Sequence, residues 1–365
     1  MPHASYGVLV HGAGWVAAQH LAAYRANPHT RVLAVSSRSA KSARRRIAEA
    51  GPADAAIYAD LGRALAHPGI DIVSICTPQH VHCENVLACA AAGKHIVIEK
   101  PVANSLAELR KMLAAVEEAG VQTVVSFVLR WNPLFTTLKR LIAQGAIGTP
   151  YCVEADYLSH NGAWWSGWES ARTLSGGVSA LLVGGCHAVD ACRWFAAPGE
   201  FDAARPVEVT AIRGGYRKGL TRAYNPLSNT FESDAPPMEY DGLELALIRF
   251  DNGALGKVSV NADCVMPYRF PLRVFGDRGT VFDNRVWSHQ FPGQTDWVTI
   301  PAIQPESSDV SHHPFQGQID HFVDCLRTGR PSHCDLADAA LTHEVVFAAQ
   351  RCYATGRPCR LPLES

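Results

Sequence analysis

Apolar positions in the first 127 residues of this 365-residue chain fall into two alternating patterns. Short β-rich runs at Gly7–His11, Arg31–Ser36, Ala56–Tyr58, Asp71–Cys76, His95–Ile98 and Gln122–Phe127 predict strands. Between them, helical spacing predicts helices over about 15–27, 39–50, 60–67, 80–92 and 105–119. Gly51, Gly93 and Gly120 stand where three of these helices should stop. Runs such as Ile72-Val-Ser-Ile75 and Ile96-Val-Ile98 are apolar without alternation, as in a strand covered on both faces. Six such β/α repeats predict a doubly wound α/β sheet of the dinucleotide-binding kind.

The pattern changes after about residue 130. Tyr151–Tyr157, Val207–Arg213, Leu243–Phe250, Leu255–Ala262 and Pro271–Gly276 read as strands joined by hairpin-like turns. Phe250-Asp-Asn-Gly-Ala254 is a strong hairpin signal, because Asn-Gly suits a type I′ turn. Two long stretches, 158–178 and 214–240, are rich in Ser, Asn, Gly and Pro and read as functional or partner-facing loops. Helical patterns return at about 315–328 and 335–354. The expected organisation is a dinucleotide-binding domain over 1–128 and an α+β domain over 129–365, whose helices over 315–354 pack back toward the first domain.

Composition narrows the function classes. Residues are 47% hydrophobic and 18% charged with a net charge of −1, which gives no electrostatic case for nucleic acid or an anionic membrane. No apolar run approaches the roughly 20 residues needed to span a bilayer. The eleven cysteines form no C-x-x-C pair, and Cys76, Cys89 and Cys186 sit in apolar runs as small hydrophobes do. Without a basic, apolar leader pattern at the N-terminus, the expectation is a cytoplasmic protein.

The first strand runs into Gly12-Ala-Gly-Trp-Val-Ala17, a G-x-G-x-x-A turn that opens a helix. Gly12 allows the tight turn, Gly14 lets a pyrophosphate approach the backbone, and the small Ala17 lets helix pack on strand. Trp15 and Val16 then lie at the helix start, beside the phosphates. The second strand ends in Val35-Ser-Ser-Arg-Ser39, with Ser37 where an NAD-preferring site carries an acid. Ser37 and Arg38 suit a 2′-phosphate and favour NADP over NAD; alternatively, the serines cap the next helix and Arg44, Arg45 and Arg46 form a solvated face.

The fifth strand ends in Glu99-Lys-Pro101, placing Lys100 at the carboxyl edge of the sheet, where ligands bind in such folds. Together with Thr77-Pro78, His80-Val-His82, Arg130-Trp-Asn-Pro133, Gly145-Ala-Ile-Gly148, Gly185-Cys-His-Ala-Val-Asp190 and Phe322-Val-Asp-Cys-Leu-Arg-Thr-Gly329, the chain resembles the glucose–fructose oxidoreductase/inositol dehydrogenase (Gfo/Idh/MocA) family over nearly its whole length. The resemblance implies a Rossmann domain and an α+β domain with a large, open, mostly antiparallel sheet, with the active site between them. It also implies dimers or tetramers formed through that sheet, and NAD(P)-dependent oxidation of a sugar, inositol or glycoside hydroxyl, or reduction of the ketone.

By the same resemblance, Lys100 matches the catalytic lysine and His187 the catalytic histidine. An ammonium can stabilise alkoxide character on the reacting oxygen while an imidazole takes the proton. Thr77, Pro78, His82, Glu99, Lys100 and Arg130 join the expected cofactor contacts. Asn132, Trp164, Trp165, His187, Asp190 and His313 join Lys100 as expected substrate contacts; the tryptophans would either stack on a sugar or plug an interface. The departure is Val183, where the family pattern has an aspartate four residues before the histidine. A carboxylate there would raise the pKa of His187. Its absence leaves open a replacement group, such as His312 or His313, or a two-residue Lys100–His187 pair. It also leaves open a non-catalytic cofactor-binding sensor. A glycosidase-type enzyme using transient NAD redox is the remaining alternative. No metal-ligand cluster is expected, since His80 and His82 are too close to share a helical face.

Overall fold

The computed structural model describes residues 5–164, 167–302 and 313–364, and the chain divides into two compact units. One comprises residues up to 128 together with 309–339; the other comprises 129–308 and 340–365.

In the first unit the non-alternating apolar runs are strands β1 (Tyr6–His11), β2 (Thr30–Ser36), β3 (Ala56–Tyr58), β4 (Ile70–Ile75), β5 (His95–Ile98) and β6 (Thr123–Val125). They form one parallel sheet in the order β3-β2-β1-β4-β5-β6. The order reverses between β1 and β4, and ligands of such sheets bind beyond the carboxyl ends of the strands at that point. Val8, Leu9, Ile72, Val73, Ile96 and Val97 are fully buried, as expected for strands covered on both faces. The connecting helices are α1 (Ala17–Ala26), α2 (Ala40–Ala50), α3 (Leu61–Leu65), α4 (His82–Ala91) and α5 (Leu106–Ala119). Ser39, Asp60 and Ser105 cap α2, α3 and α5 through their side chains, each cap contributing about 1 kcal/mol. Helix α9 (Phe315–Thr328) belongs to this unit, where Asn27 donates to Asp320 at 2.7 Å.

The second unit holds a nine-stranded sheet of β7 (Pro150–Leu158), β8 (Pro206–Gly214), β11 (Leu243–Phe250), β12 (Leu255–Asn261), β13 (Leu272–Gly276), β14 (Gly279–Phe282), β15 (Arg285–Ser288), β16 (Val298–Thr299) and β17 (Cys359–Arg360). The order is β16-β15-β14-β13-β7-β12-β11-β8-β17, antiparallel throughout except for the β7–β12 pair. Side chains alternate along β11: Ala246, Ile248 and Phe250 are buried, whereas Leu245 and Leu247 are exposed beside Ile212 of β8. Helix α8 (Cys186–Ala196) covers the buried face over β7 and β12. Helices α6 (Pro133–Ala143) and α10 (Leu336–Thr355) complete the set, α10 beginning in the first unit and ending in the second.

Three local expectations are corrected. The β11–β12 turn is not type I′, because only Gly253 has a positive φ, at 86°. A bond from Gly253 N–H to Phe250 O, and another from Phe250 N–H to Ala254 O, make a three-residue loop that closes on a left-handed glycine. The stretches 158–178 and 214–240 are not wholly irregular: they contain α7 (Trp168–Ala171) and the hairpin of β9 (Ala223–Asn225) with β10 (Thr230–Glu232). Helix α6 and the helical segment 181–196 lay outside the predicted elements, although the Asn132-Pro133 pair is a helix-start signal.

Among the described residues no helix is long and apolar enough to cross a membrane, and all eleven cysteines are free thiols.

Candidate functional site

The carboxyl edge of the first unit's sheet is built by its turns. Gly12 has φ 105°, and a Cβ there would lie 2.5 Å from the Cys76 carbonyl oxygen, so only glycine lets β1 turn this close to the end of β4. At Gly14 the nearest atom to such a Cβ is 3.9 Å away, and the residue is exposed. Helix α1 starts immediately afterwards without a side-chain cap or an acidic residue in its first turn. Its first amides and its positive dipole end are therefore available to an anion. Trp15 and Val16 are half-buried beside this turn. Ser37 Oγ accepts from Ser39 N–H and Ser39 caps α2, so the capping alternative accounts for both hydroxyls. Arg38 is exposed, and Arg46 is drawn to the Ala13 carbonyl and Glu49. His11 closes β1 against the Ser36 hydroxyl at 2.7 Å; burial pushes its pKa down to about 4.

Thr77 is half-buried, Pro78 is exposed, and both follow the β4 end. His82 is buried, its ring lying between the Thr77 carbonyl (2.8 Å from Nε2) and the Pro101 carbonyl (2.9 Å from Nδ1), to one of which the neutral ring donates. Burial lowers its pKa. The ring thus joins the end of β4 to the turn after β5, where half-buried Lys100 stands. Glu99 is buried, with Oε1 2.9 Å from His20 Nε2. His82 and Glu99, expected as cofactor contacts, are thus engaged inside the protein as supports of the turn that presents Lys100.

In the second unit His187 is buried in the first turn of α8. A π-helical turn over Leu181–Gly185 leads into it, and extra-residue turns of this kind gather at functional sites. Glycine is required here for packing: a Cβ on Gly184 would lie 2.6 Å from the Tyr157 ring, and one on Gly185 would lie 2.9 Å from Val260 Cβ. The Tyr157 and His187 rings are parallel within 10°, centroids 6.4 Å apart. Val183 is buried in the π turn. The Ala180 amide donates to Glu244 Oε1 at 2.9 Å, and the Tyr353 hydroxyl donates to Glu244 Oε2 at 2.8 Å. Burial pushes Glu244 up to about 7. Ahead of this, Ser179 N–H bonds to Gly177 O across Val178, whose φ of 68° is an outlier for a β-branched residue.

Two models of one family match the chain: "Oxidoreductase family, NAD-binding Rossmann fold" over residues 6–127, and the GFO/IDH/MocA C-terminal domain over 135–282. The chain belongs to the Gfo/Idh/MocA oxidoreductase family. It is 28% identical over 311 residues to the scyllo-inositol 2-dehydrogenase (NAD(+)) of Bacillus subtilis strain 168, covering 82% of this chain and 80% of that one. It is 31% identical over 266 residues to the levoglucosan dehydrogenase of Pseudarthrobacter phenanthrenivorans, covering 68% and 65%. An oxidoreductase domain protein from Kribbella flavida has the same fold, with a TM-score of 0.82 at 22% identity over 99% of this chain and 100% of that one. The uncapped start of α1, the glycine at 12 and the open space over Gly14 fit a dinucleotide in this Gfo/Idh/MocA protein.

The remaining expected residues of this family member fall as follows. Arg130 is in the second unit, buried, and donates through Nε (2.8 Å) and Nη2 (2.6 Å) to the two oxygens of Asp190. Thr342 joins them, donating to Asp190 and accepting from Arg193. The Arg130 fork and the Asp190 carboxylate are therefore engaged with each other, and the pair anchors α8. The Asn132 carboxamide oxygen caps α6, accepting from Leu134 and Phe135 amides. Trp164 donates to the His160 carbonyl at 3.0 Å. Trp165 and His312 lie outside the described residues. His313 belongs to the first unit, its ring 6.3 Å from that of Phe315.

Residues not singled out by the sequence pattern complete the picture. His160 Nε2 accepts from Arg217 Nη1 (2.7 Å) and the Tyr224 amide (2.8 Å), which leaves Nδ1–H to donate to the Cys264 carbonyl. Burial, then Arg217, push its pKa down to about 4. With the Arg217–Asp263 ion pair at 3.1 Å, His160 ties the long stretches 158–178 and 214–240 to each other. Among the described residues no group of three or more His, Cys, Asp or Glu side chains is placed to hold a metal ion.

Proposed function

We propose that this family member is an NAD(P)-dependent dehydrogenase of a secondary hydroxyl on a cyclitol, sugar or glycoside, or a reductase of the matching ketone. The observation that carries the reading is the position of Lys100. It directly follows β5, beside β4, at the carboxyl edge that also holds the Gly12–Ala17 turn. The turn and the start of α1 hold the pyrophosphate, with Trp15, Val16, Thr77 and Pro78 around the nucleotide. Bound nicotinamide supplies the acceptor for the hydride leaving the substrate carbon, or its donor in the reverse direction. Lys100 hydrogen-bonds the reacting oxygen and stabilises its growing negative charge, and His187 takes the hydroxyl proton. Trp164 is the aromatic candidate for the apolar face of the substrate.

Arg38, exposed at the end of β2 with no carboxylate in the Val35–Ser39 turn, supports NADP over NAD. The exposed Leu245, Leu247 and Ile212 on the sheet of the second unit support a homo-oligomer formed through that face. Free thiols throughout support a cytoplasmic setting.

The test is nicotinamide absorbance with both cofactors across inositols, anhydrosugars, free sugars and aryl glycosides. Turnover is expected, with kcat/KM lowered about 10²- to 10⁴-fold in Lys100→Ala while nucleotide still binds. Failure to bind either nucleotide would overturn the reading. Buried, apolar Val183 favours a second reading, a cofactor-binding sensor, and binding without turnover across the whole panel would establish that instead.

A further inference from the structure

A line of buried polar side chains runs beneath Lys100. His20, on α1 and fully buried, has Nε2 2.9 Å from Glu99 Oε1 and Nδ1 2.7 Å from the Ser74 hydroxyl on β4. Ser126 also lies against the Glu99 carboxylate, and Gln318 of α9 donates to Ser126 at 3.0 Å. The Phe315 ring lies beside the imidazole, with centroids 5.0 Å apart. The titratable groups facing the pair are Cys76, beside His20, and Lys100 and His82, beside Glu99.

Burial works against charge on both partners. For His20 the neighbouring Cys76 and the Glu99 carboxylate outweigh it, raising the imidazole to about 10. For Glu99 the hydrogen bond and charge of His20, followed by Lys100, hold the carboxyl below its ordinary value. Stability alone is a poor reason for such a pair, because apolar side chains of the same volume commonly serve a core as well or better. Its location gives a better reason: Glu99 is bonded in the chain to Lys100, and the helix carrying His20 is the one opened by the glycine turn.

We propose that His20 is a positioning residue for Lys100: it holds Glu99 as a fixed, ionised anchor, so that the turn after β5 presents the lysine in one place beside a constant negative charge. The proposal rests on reading Lys100 as the proton-handling group, but its test does not require turnover. Lys100 acylation in the protein without nucleotide is followed residue by residue with peptide mass spectrometry.

In Glu99→Gln, which keeps the shape and removes the charge, Lys100 is labelled about three- to tenfold faster at about pH 8, because its ammonium loses a stabilising neighbour. His20→Gln moves the rate in the same direction, and the double variant moves it no further than either alone. Where a substrate is in hand, both variants lower kcat while KM for the nucleotide stays put. An unchanged labelling rate in Glu99→Gln overturns the proposal, however His20→Gln folds. An altered Glu99→Gln beside an unaltered, folded His20→Gln overturns the part given to His20. A wild-type protein that turns over nothing defeats the dehydrogenase reading alone, since the labelling comparison is independent of it.

Discussion

Around Lys100 the first unit gathers charge: a buried imidazole, a buried carboxylate and two hydroxyls lie in one line behind the turn. Around His187 the second unit gathers shape. Two glycines, Val183 and the flat of Tyr157 surround the start of α8, whose Asp190 is engaged with Arg130 and whose Arg193 is engaged with Thr342. The difference lies in what each unit packs around its candidate residue. Lys100 stands next to the Glu99 carboxylate within its own unit, whereas Val183 places no carboxylate four residues before His187. Buried polar groups are thus gathered behind the first unit's turn, and close packing at the second unit's helix start.

The hardest test of the second unit is Arg130→Ala. It leaves the buried Asp190 carboxylate without its bidentate partner, and a loss of about 3–5 kcal/mol is expected in urea unfolding. A loss below about 1 kcal/mol would mean that α8 is held by packing alone.

Glu244→Gln tests the same region by pH. Burial raises this carboxyl from 4.5 to about 7, so its contribution to stability is fully present below about pH 4.5 and is lost as pH rises through about 7. Relative to the Gln variant, the wild type should lose up to roughly 3 kcal/mol across that window in denaturant titrations. Parallel stability curves for the two proteins would remove Glu244 as a titrating cap.

The smallest effect sharpens the contrast itself. Val183→Asp installs the carboxylate that the resemblance implies there, and on the proton-accepting role proposed for His187 a pH–rate limb should rise by about one unit. An unmoved limb would show that position 183 does not address the imidazole.

Much of the first unit was legible because its signals are local. The strand runs, the glycine turn and the lysine after β5 each depend on a few neighbouring residues, and the six strands stand where the apolar runs placed them. His20 was not legible: nothing in its own helix marks it, and its partner Glu99 lies 79 residues away, in the turn after β5. In the second unit, His187 could be picked out only by resemblance. The helix around it starts with Leu-Leu-Val-Gly-Gly, whose glycines argue locally against a helix and are explained only by Tyr157 and Val260 pressing on them. The partners of Arg130 and Asn132 were not legible either, since a sequence shows a polar group without showing that Asp190 or the start of α6 engages it. The loops 158–178 and 214–240 looked loose by composition because the Arg217–His160–Asp263 network that ties them is assembled from distant segments.

The turn at Val178 depends on distant residues. Its backbone takes a shape that valine disfavours, so it is maintained by what grips the segment on either side: Tyr240 through the Ala171 carbonyl, and Glu244 through the Ala180 amide, itself steadied by Tyr353 near the end of α10. The approach to His187 is thus written partly in residues far along the chain. Altering Tyr353 would remove one of the bonds that hold Glu244, and with it part of what grips the segment leading to α8.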